Sequence, residues 1–129
     1  MTLHHISLHF PPSKFDAVLA FYLASLAPLG YRELSRPAAR VVGIGVPVTG
    51  PDFWIHGHRS ESSEDDQQRE KVHVAFRAGD QDQVHVFYTA ALAAGGVCNG
   101  PPGPRPEYSS EYYGAFVLDP AGNNIEACL

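Results

Sequence analysis

Residues 21–27 read Phe-Tyr-Leu-Ala-Ser-Leu-Ala, and residues 87–93 read Phe-Tyr-Thr-Ala-Ala-Leu-Ala. The two stretches are identical at five of seven positions, at an offset of 66 residues. Upstream of them, His-Ile-Ser-Leu at residues 5–8 resembles His-Val-Ala-Phe at residues 73–76, at an offset of 68. Similar stretches that recur in the same order indicate a duplicated unit. The chain is therefore predicted to contain two copies of one module.

Each copy is predicted to begin with a strand and to continue into a helix. His5, Ser7 and His9 alternate with apolar residues, which is typical of a strand with one polar and one buried face. Ser13 is predicted to cap the first helix and Asp80 the second. Strand candidates follow each helix, at 31–35, 40–46 and 52–56 in the first copy and near 97, at 112–118 and at 123–128 in the second. Each copy therefore reads as a βαβββ module in an α+β fold.

The two modules are predicted to cover about residues 1–58 and 70–129 of a single domain, 1–129. Residues 59–71 contain no apolar side chain and are interpreted as an exposed polar linker. Residues 100–106, Gly-Pro-Pro-Gly-Pro-Arg-Pro, are interpreted as a stiff loop inserted only in the second copy. A loop of this kind often forms a wall or lid over a site.

Composition narrows the classes of function. The chain has 129 residues and a formal net charge of −5, and no segment forms a basic stripe, so nucleic acid is not an expected partner. No apolar stretch is long enough to span a bilayer, so no membrane association is expected. The two cysteines lack a C-x-x-C spacing and the N-terminus lacks the pattern of a signal peptide. These features favour a cytoplasmic protein.

Seven histidines are a high number for so short a chain. In a duplicated fold His5 and His73 occupy equivalent strands, and Glu126 lies on the last strand candidate. Two imidazoles and one carboxylate are a common ligand set for Fe(II), and also suit Zn, Ni, Mn or Co. A single histidine on a strand is more often exposed or hydrogen-bonded than metal-bound. His9, His56, His58 and His85 compete for the same role, so the residues alone leave the ligand set open.

Several motifs together resemble the vicinal oxygen chelate superfamily, which includes glyoxalase I, bleomycin-resistance proteins and extradiol dioxygenases. The resemblance covers nearly the whole chain and implies paired βαβββ modules whose mixed sheet curves around a cavity. It also implies a divalent metal ion that chelates two neighbouring oxygens of a substrate. The motifs lie at residues 5–8, 21–22, 26–31, 52–54, 73–76, 112–120 and 122–126.

The resemblance implies His5, His73 and Glu126 as metal ligands. Alignment of residues 53–54 with residues 125–126 places Trp54 where glyoxalase I has a carboxylate. Three protein ligands are therefore favoured, with His56 as the alternative fourth ligand if the strand shifts by two residues.

The predicted function is that of a divalent-metal-dependent enzyme acting on a small oxygenated molecule, as a glyoxalase-like or dioxygenase-like lyase, isomerase or oxygenase. The metal is expected to be Fe, Zn, Ni or Mn. The alternative is a metal-free small-molecule binding or resistance protein of the same fold. A small molecule is the expected partner, and a homodimer is compatible with the resemblance. The assigned roles are catalytic for Glu126 and Tyr113, and substrate-binding for Trp54, Arg77, Tyr112 and Asn124.

Overall fold

A computed structural model describes residues 2–59 and 70–129. The described residues form two four-stranded mixed sheets and two α-helices, so the predicted α+β fold of two βαβββ modules is confirmed. The predicted linker falls largely on residues 60–69, which lie outside the described residues.

The first module contains β1 (Ile6–His9), α1 (Phe15–Leu26), β2 (Arg32–Ala38), β3 (Val41–Val46) and β4 (Gly50–His56). The second module contains β5 (His73–Arg77), α2 (Gln81–Ala93), β6 (Val97–Pro104), β7 (Tyr113–Leu118) and β8 (Asn124–Cys128).

The two sheets have the same topology. Their strand orders are β1-β4-β3-β2 and β5-β8-β7-β6, with the first pair parallel in each sheet. Ser7 pairs with Trp54 in the first sheet, and Ala75 pairs with Glu126 in the second. Since His5 and His73 each lie two residues before these positions, Trp54 and Glu126 occupy equivalent places, as the sequence alignment predicts.

One face of each sheet is buried by the helices. Phe21 and Phe87 are each the seventh residue of their helix, and both are fully buried. The two helices pack against each other, and one core cluster contains buried residues of both modules. Leu8 and Phe10, on the apolar face of the first strand, belong to that cluster. The polar residues that alternate with them therefore lie on the face of the sheet that the helices do not cover.

The two helices begin differently. Asp80 caps α2 as predicted, because its Oδ1 accepts a hydrogen bond of 2.8 Å from the backbone N–H of Gln83. The predicted Ser13 cap is wrong, since Ser13 lies within a 3-10 turn, Pro12–Lys14, and α1 begins at Phe15 without a side-chain cap. Proline fixes φ near the helical value and is favoured at the first helical position, so the turn starts at Pro12.

The predicted loop at residues 100–106 is largely strand. β6 extends to Pro104 and pairs antiparallel with β7, with shifts in register near Gly100 and Gly103. β6 is an edge strand of its sheet. An edge strand tolerates proline because no further strand needs the missing N–H group. The interpretation of this stretch as a lid is therefore corrected.

A buried hydrogen-bond network connects the modules. The Tyr22 hydroxyl in α1 donates a hydrogen bond of 2.5 Å to Asp119 Oδ2, in the turn between β7 and β8. Asp119 also accepts hydrogen bonds from the backbone N–H groups of Ala121 and Asn123. Burial, followed by the charge of Asp119, raises the pKa of Tyr22 well above its usual range. The phenol therefore stays protonated and continues to donate.

Neither helix of the described chain is long and apolar enough to cross a membrane.

Candidate metal and ligand site

The open face of the second sheet brings His73 and Glu126 together. His73 Nε2 lies 2.8 Å from Glu126 Oε2, and the two side chains are 51% and 3% exposed. The other oxygen, Oε1, accepts a hydrogen bond from the Tyr112 hydroxyl. A buried carboxylate is costly unless its oxygens have partners, and here both have one. Glu126 is thus a buried carboxylate that an accessible imidazole can reach.

The backbone leaves room around Glu126. Gly114 precedes Phe116 by two residues, on the same face of β7, and Phe116 pairs with Glu126 in register. A Cβ atom at Gly114 would lie only 3.2 Å from Glu126 Oε1 and 3.3 Å from Cys128 Cβ. A side chain at position 114 would therefore crowd the carboxylate, and glycine keeps that approach open.

Tyr112 and Tyr113 lie on opposite faces of the second sheet. Tyr112 shares the face of Phe116 and contacts Glu126. Burial and this hydrogen bond raise the pKa of Tyr112, so its hydroxyl is a proton donor at neutral pH. The Tyr113 hydroxyl lies instead 2.7 Å from His85 Nε2 in α2. Strand alternation separates the two tyrosines, because odd and even positions point to opposite faces.

Trp54 lies on the open face of the first sheet. Its indole covers Gly43 on the adjacent strand, where an added Cβ would lie 2.8 Å from the ring. A cavity of about 440 Å³ is bordered by Trp54, His5 and His56, together with His4, Ser7, Val41, Thr49 and Pro51. The first sheet thus presents an aromatic surface with imidazoles at its edge.

His56 lies two residues beyond Trp54 on the same face. It pairs in register with His9, and the two rings stack with centroids 4.5 Å apart. Burial, followed by the proximity of His9 and His58, lowers the pKa of His56. His56 is therefore predominantly neutral at pH 7.

His5 does not lie beside His73 within one chain. His5 borders a cavity with residues 74–77 of β5, whereas His9 borders a cavity with Val72, which precedes β5. These linings indicate that β1 and β5 run past each other in opposite directions. Within residues 2–59 and 70–129, no group of three or more histidine, cysteine, aspartate or glutamate side chains is placed to hold a metal ion.

The family model for the Glyoxalase/Bleomycin resistance protein/Dioxygenase superfamily matches residues 3–127. The chain belongs to this superfamily. The resemblance seen in the sequence is thereby confirmed.

Solved structures of the superfamily share the fold. A glyoxalase/bleomycin resistance protein from Albidiferax ferrireducens T118 is 25% identical, with a TM-score of 0.70 over 96% of this chain and 94% of that chain. A glyoxalase/bleomycin resistance protein/dioxygenase family enzyme from Burkholderia phytofirmans PsJN is 19% identical, with a TM-score of 0.72 over 99% and 98%. A lactoylglutathione lyase from Agrobacterium tumefaciens is 18% identical, with a TM-score of 0.62 over 96% and 90%. No curated protein matches the chain significantly.

The remaining predicted substrate-binding residues lie at different places around this superfamily fold. Asn124 pairs with His73 in register, and its Oδ1 accepts a hydrogen bond of 3.1 Å from Asn99. Arg77 lies at the other end of β5, where it pairs with Cys128. Asn124 is thus the one close to the His73–Glu126 pair.

Sequence reasoning missed Arg105, whose guanidinium lies over the Phe116 ring. In the folded chain Gly100 and Gly103 both face this guanidinium. That relation depends on how the chain folds back after β6, which residue order alone does not reveal.

Proposed function

We propose that this chain is a divalent-metal-dependent enzyme that acts on a small oxygenated molecule, as a lyase, isomerase or oxygenase. The observation that carries the proposal is the 2.8 Å approach of the accessible His73 imidazole to the buried Glu126 carboxylate. These residues and His5 are the proposed ligands, and the metal would be Fe, Zn, Ni or Mn.

The donors of the second sheet fit part of such a site. An imidazole nitrogen and a carboxylate oxygen are ligand types that all four metals accept. Gly114 leaves space beside Glu126, and Tyr112 orients the carboxylate through its second oxygen. Outer hydrogen bonds of this kind commonly fix a metal-binding carboxylate. A third protein donor is needed to complete the proposed set.

We propose that this third donor is His5 of a second copy of the chain. Within the described residues of one chain, His5 does not join His73 and Glu126 in a group that could hold a metal ion. The open faces of the two sheets are built alike, with His5 and Trp54 on one and His73 and Glu126 on the other. In a homodimer with two-fold symmetry, the first sheet of one copy and the second sheet of its partner can face each other. Each dimer would then hold two equivalent sites.

In the proposed site each side chain has a separate task. A bound divalent ion would supply Lewis-acid polarisation of a substrate oxygen. Glu126 can accept a proton, and Tyr112 keeps a proton on its hydroxyl beside it. Asn124, Trp54 and Arg77 are proposed to contact substrate. The catalytic role of Tyr113 stays a prediction, with its hydroxyl placed on His85.

Metal analysis of protein purified without an affinity tag or chelator tests this proposal. We expect about one metal ion per chain, and loss of most of it in His5→Ala, His73→Ala and Glu126→Gln. His85→Ala is the control, because His85 lies on the helix side of the sheet. His56→Ala should retain the metal if there are three protein ligands. Metal content that is unchanged in both His5→Ala and His73→Ala would refute the proposal.

A metal-free binding protein is the second candidate, and the position of Trp54 favours it. This residue replaces a carboxylate at the place equivalent to Glu126, and its indole borders the cavity of about 440 Å³ beside the first sheet. Trp54 is the only tryptophan, so its fluorescence reports directly on this cavity. Quenching by catechol in chelator-treated protein, abolished in Gly43→Ala, combined with no uptake of added Fe, Zn, Mn or Ni, would favour this candidate.

A further inference from the structure

Arg105 follows the end of β6, and its guanidinium folds back over that strand. Nη2 donates a hydrogen bond of 2.8 Å to the carbonyl of Pro101, and Nη1 donates one of 3.1 Å to the carbonyl of Pro104. The guanidinium carbon lies 5.5 Å from the centroid of the Phe116 ring, within the range of a cation–π contact. The arginine is therefore held in one position by three contacts.

Two glycines make room for this position. A Cβ atom at Gly100 would lie 3.3 Å from Nη2, and one at Gly103 would lie 3.1 Å from Nη1. Both distances are tighter than ordinary side-chain packing, so a larger residue at either place would displace the guanidinium. The glycines and prolines of this edge strand thus form the surface on which the guanidinium lies.

The guanidinium of Arg105 has more hydrogen-bond donors than these carbonyls use. A guanidinium carries five N–H donors, and the two carbonyls take two of them. Within the described part of the chain, no carboxylate forms an ion pair with Arg105 within 4.0 Å. Glu107 borders the same cavity without making that pair. A fixed guanidinium with free donors matches the paired oxygens of an anionic group.

The cavity beside Arg105 adjoins the candidate site. It has a volume of about 280 Å³, and Asn99, Asn124 and Phe116 border it. Phe116 also lies beside His73, with ring centroids 6.0 Å apart. Asn124 is the register partner of His73. A molecule whose anionic end meets Arg105 would therefore extend towards the His73–Glu126 pair.

We propose that Arg105 is the anchoring residue for an anionic oxygen group of the ligand, so that the substrate is a small carboxylate-bearing or phosphate-bearing molecule. This inference rests on the proposed function in placing the reacting end of that molecule at the His73–Glu126 pair. The anchoring itself needs no metal ion. Arg77 is not part of this anchoring site, because it borders a different cavity, with Ala75 and Cys128 at the other end of β5.

The test measures binding of benzoate and of its neutral counterpart benzamide to the full chain in the presence of a chelator. The Nε–H signal of Arg105 in ¹H–¹⁵N correlation spectra should shift with benzoate and saturate, but not with sodium chloride at the same ionic strength. Arg105→Gln should weaken benzoate binding about tenfold or more while leaving benzamide binding nearly unchanged, because only the anion needs the guanidinium. Arg36→Gln is the matched control and should change neither, because Arg36 is exposed in the first module and its guanidinium pairs with Glu33.

Each outcome decides one claim. Inorganic phosphate, titrated in the same way, distinguishes a phosphate-bearing ligand from a carboxylate-bearing one through the tighter of the two affinities. Equal weakening of benzoate and benzamide in Arg105→Gln would show a merely structural role and overturn the inference, as would the absence of any benzoate-specific shift. Benzoate binding in a chain that takes up no metal would overturn the proposed function alone.

Discussion

The contact between Tyr112 and Glu126 explains how a carboxylate remains buried at the open face of a sheet. Glu126 is buried, and Tyr112 and His73 supply its side-chain partners. Tyr112→Phe keeps the ring and removes the hydroxyl, which leaves Oε1 without that donor. We expect the free energy of unfolding, measured by urea titration without metal, to fall by about 1–3 kcal/mol.

Tyr113→Phe is the matched control for this change. It removes a hydroxyl from the neighbouring position, but the bond that is lost joins an exposed histidine on the helix side. Its cost should be less than about 1 kcal/mol, since water can replace the partner. Equal losses in the two variants would contradict the account of Glu126.

The two tyrosines also show what residue order can and cannot predict. Strand alternation places Tyr112 with Phe116, and Phe116 pairs with Glu126, so the contact between Tyr112 and Glu126 was predictable from the sequence. The sequence prediction gave the catalytic role to Tyr113, whose hydroxyl the structure places on the opposite face. The position of the Arg105 guanidinium could not be predicted in this way, because it depends on carbonyls and glycines that folding brings together.

At the scale of the strands, the pairing of β1 with β4 brings His9 against His56. Burial lowers the pKa of His56 in the folded chain, so the unfolded chain binds a proton there more readily. The contribution of His56 to the free energy of unfolding is therefore fully present above a pH of about 6.5, the pKa of histidine in the unfolded chain. It is lost as the pH falls through the lower pKa of His56 in the folded chain. We expect the free energy of unfolding of chelator-treated protein to decrease between pH 7.5 and pH 5.5.

His56→Gln should flatten this pH dependence, because it removes the group that titrates. His85→Gln is the control and should leave the slope as it is in the original chain, since His85 lies outside this pair of strands. Urea unfolding of the three proteins at several pH values measures the slopes. A slope that is the same with and without His56 would exclude this histidine as its source.

The elements themselves were largely predictable. The repeat located both helices, and the alternation of polar and apolar residues gave the buried face of the first strand correctly. Two local details were wrong for backbone reasons. Pro12 starts a turn before the expected cap at Ser13, and the glycines and prolines of β6 are tolerated because that strand lies at the edge of its sheet.

At the scale of the whole molecule, the buried bond between Tyr22 and Asp119 joins residues that are 97 positions apart. Tyr22→Phe should lower the free energy of unfolding by about 1–3 kcal/mol, because a buried donor to a carboxylate is lost. Tyr31→Phe is the matched control. Its hydroxyl donates a bond of 3.1 Å to Asp52 within the first module, where both groups are only partly buried. A greater loss in Tyr31→Phe would contradict a role for Tyr22 in joining the modules.

The relative placement of the modules was not predictable from the residues. Duplication makes His5 and His73 equivalent, but equivalence under a two-fold relation does not make them neighbours. Within the described residues of one chain, only His73 and Glu126 of the three predicted ligands come together. A site built from all three would therefore use a second copy, as proposed above.

Metal analysis of a mixture of two deficient variants tests the proposed shared site most directly. His5→Ala and Glu126→Gln are unfolded together in urea and refolded together, and mass spectrometry verifies that mixed dimers form. In a mixed dimer one site carries both substitutions and the other carries neither. The account predicts that the mixture binds clearly more metal than either variant alone. Metal content that stays at the level of the separate variants, in a sample that contains mixed dimers, would contradict it.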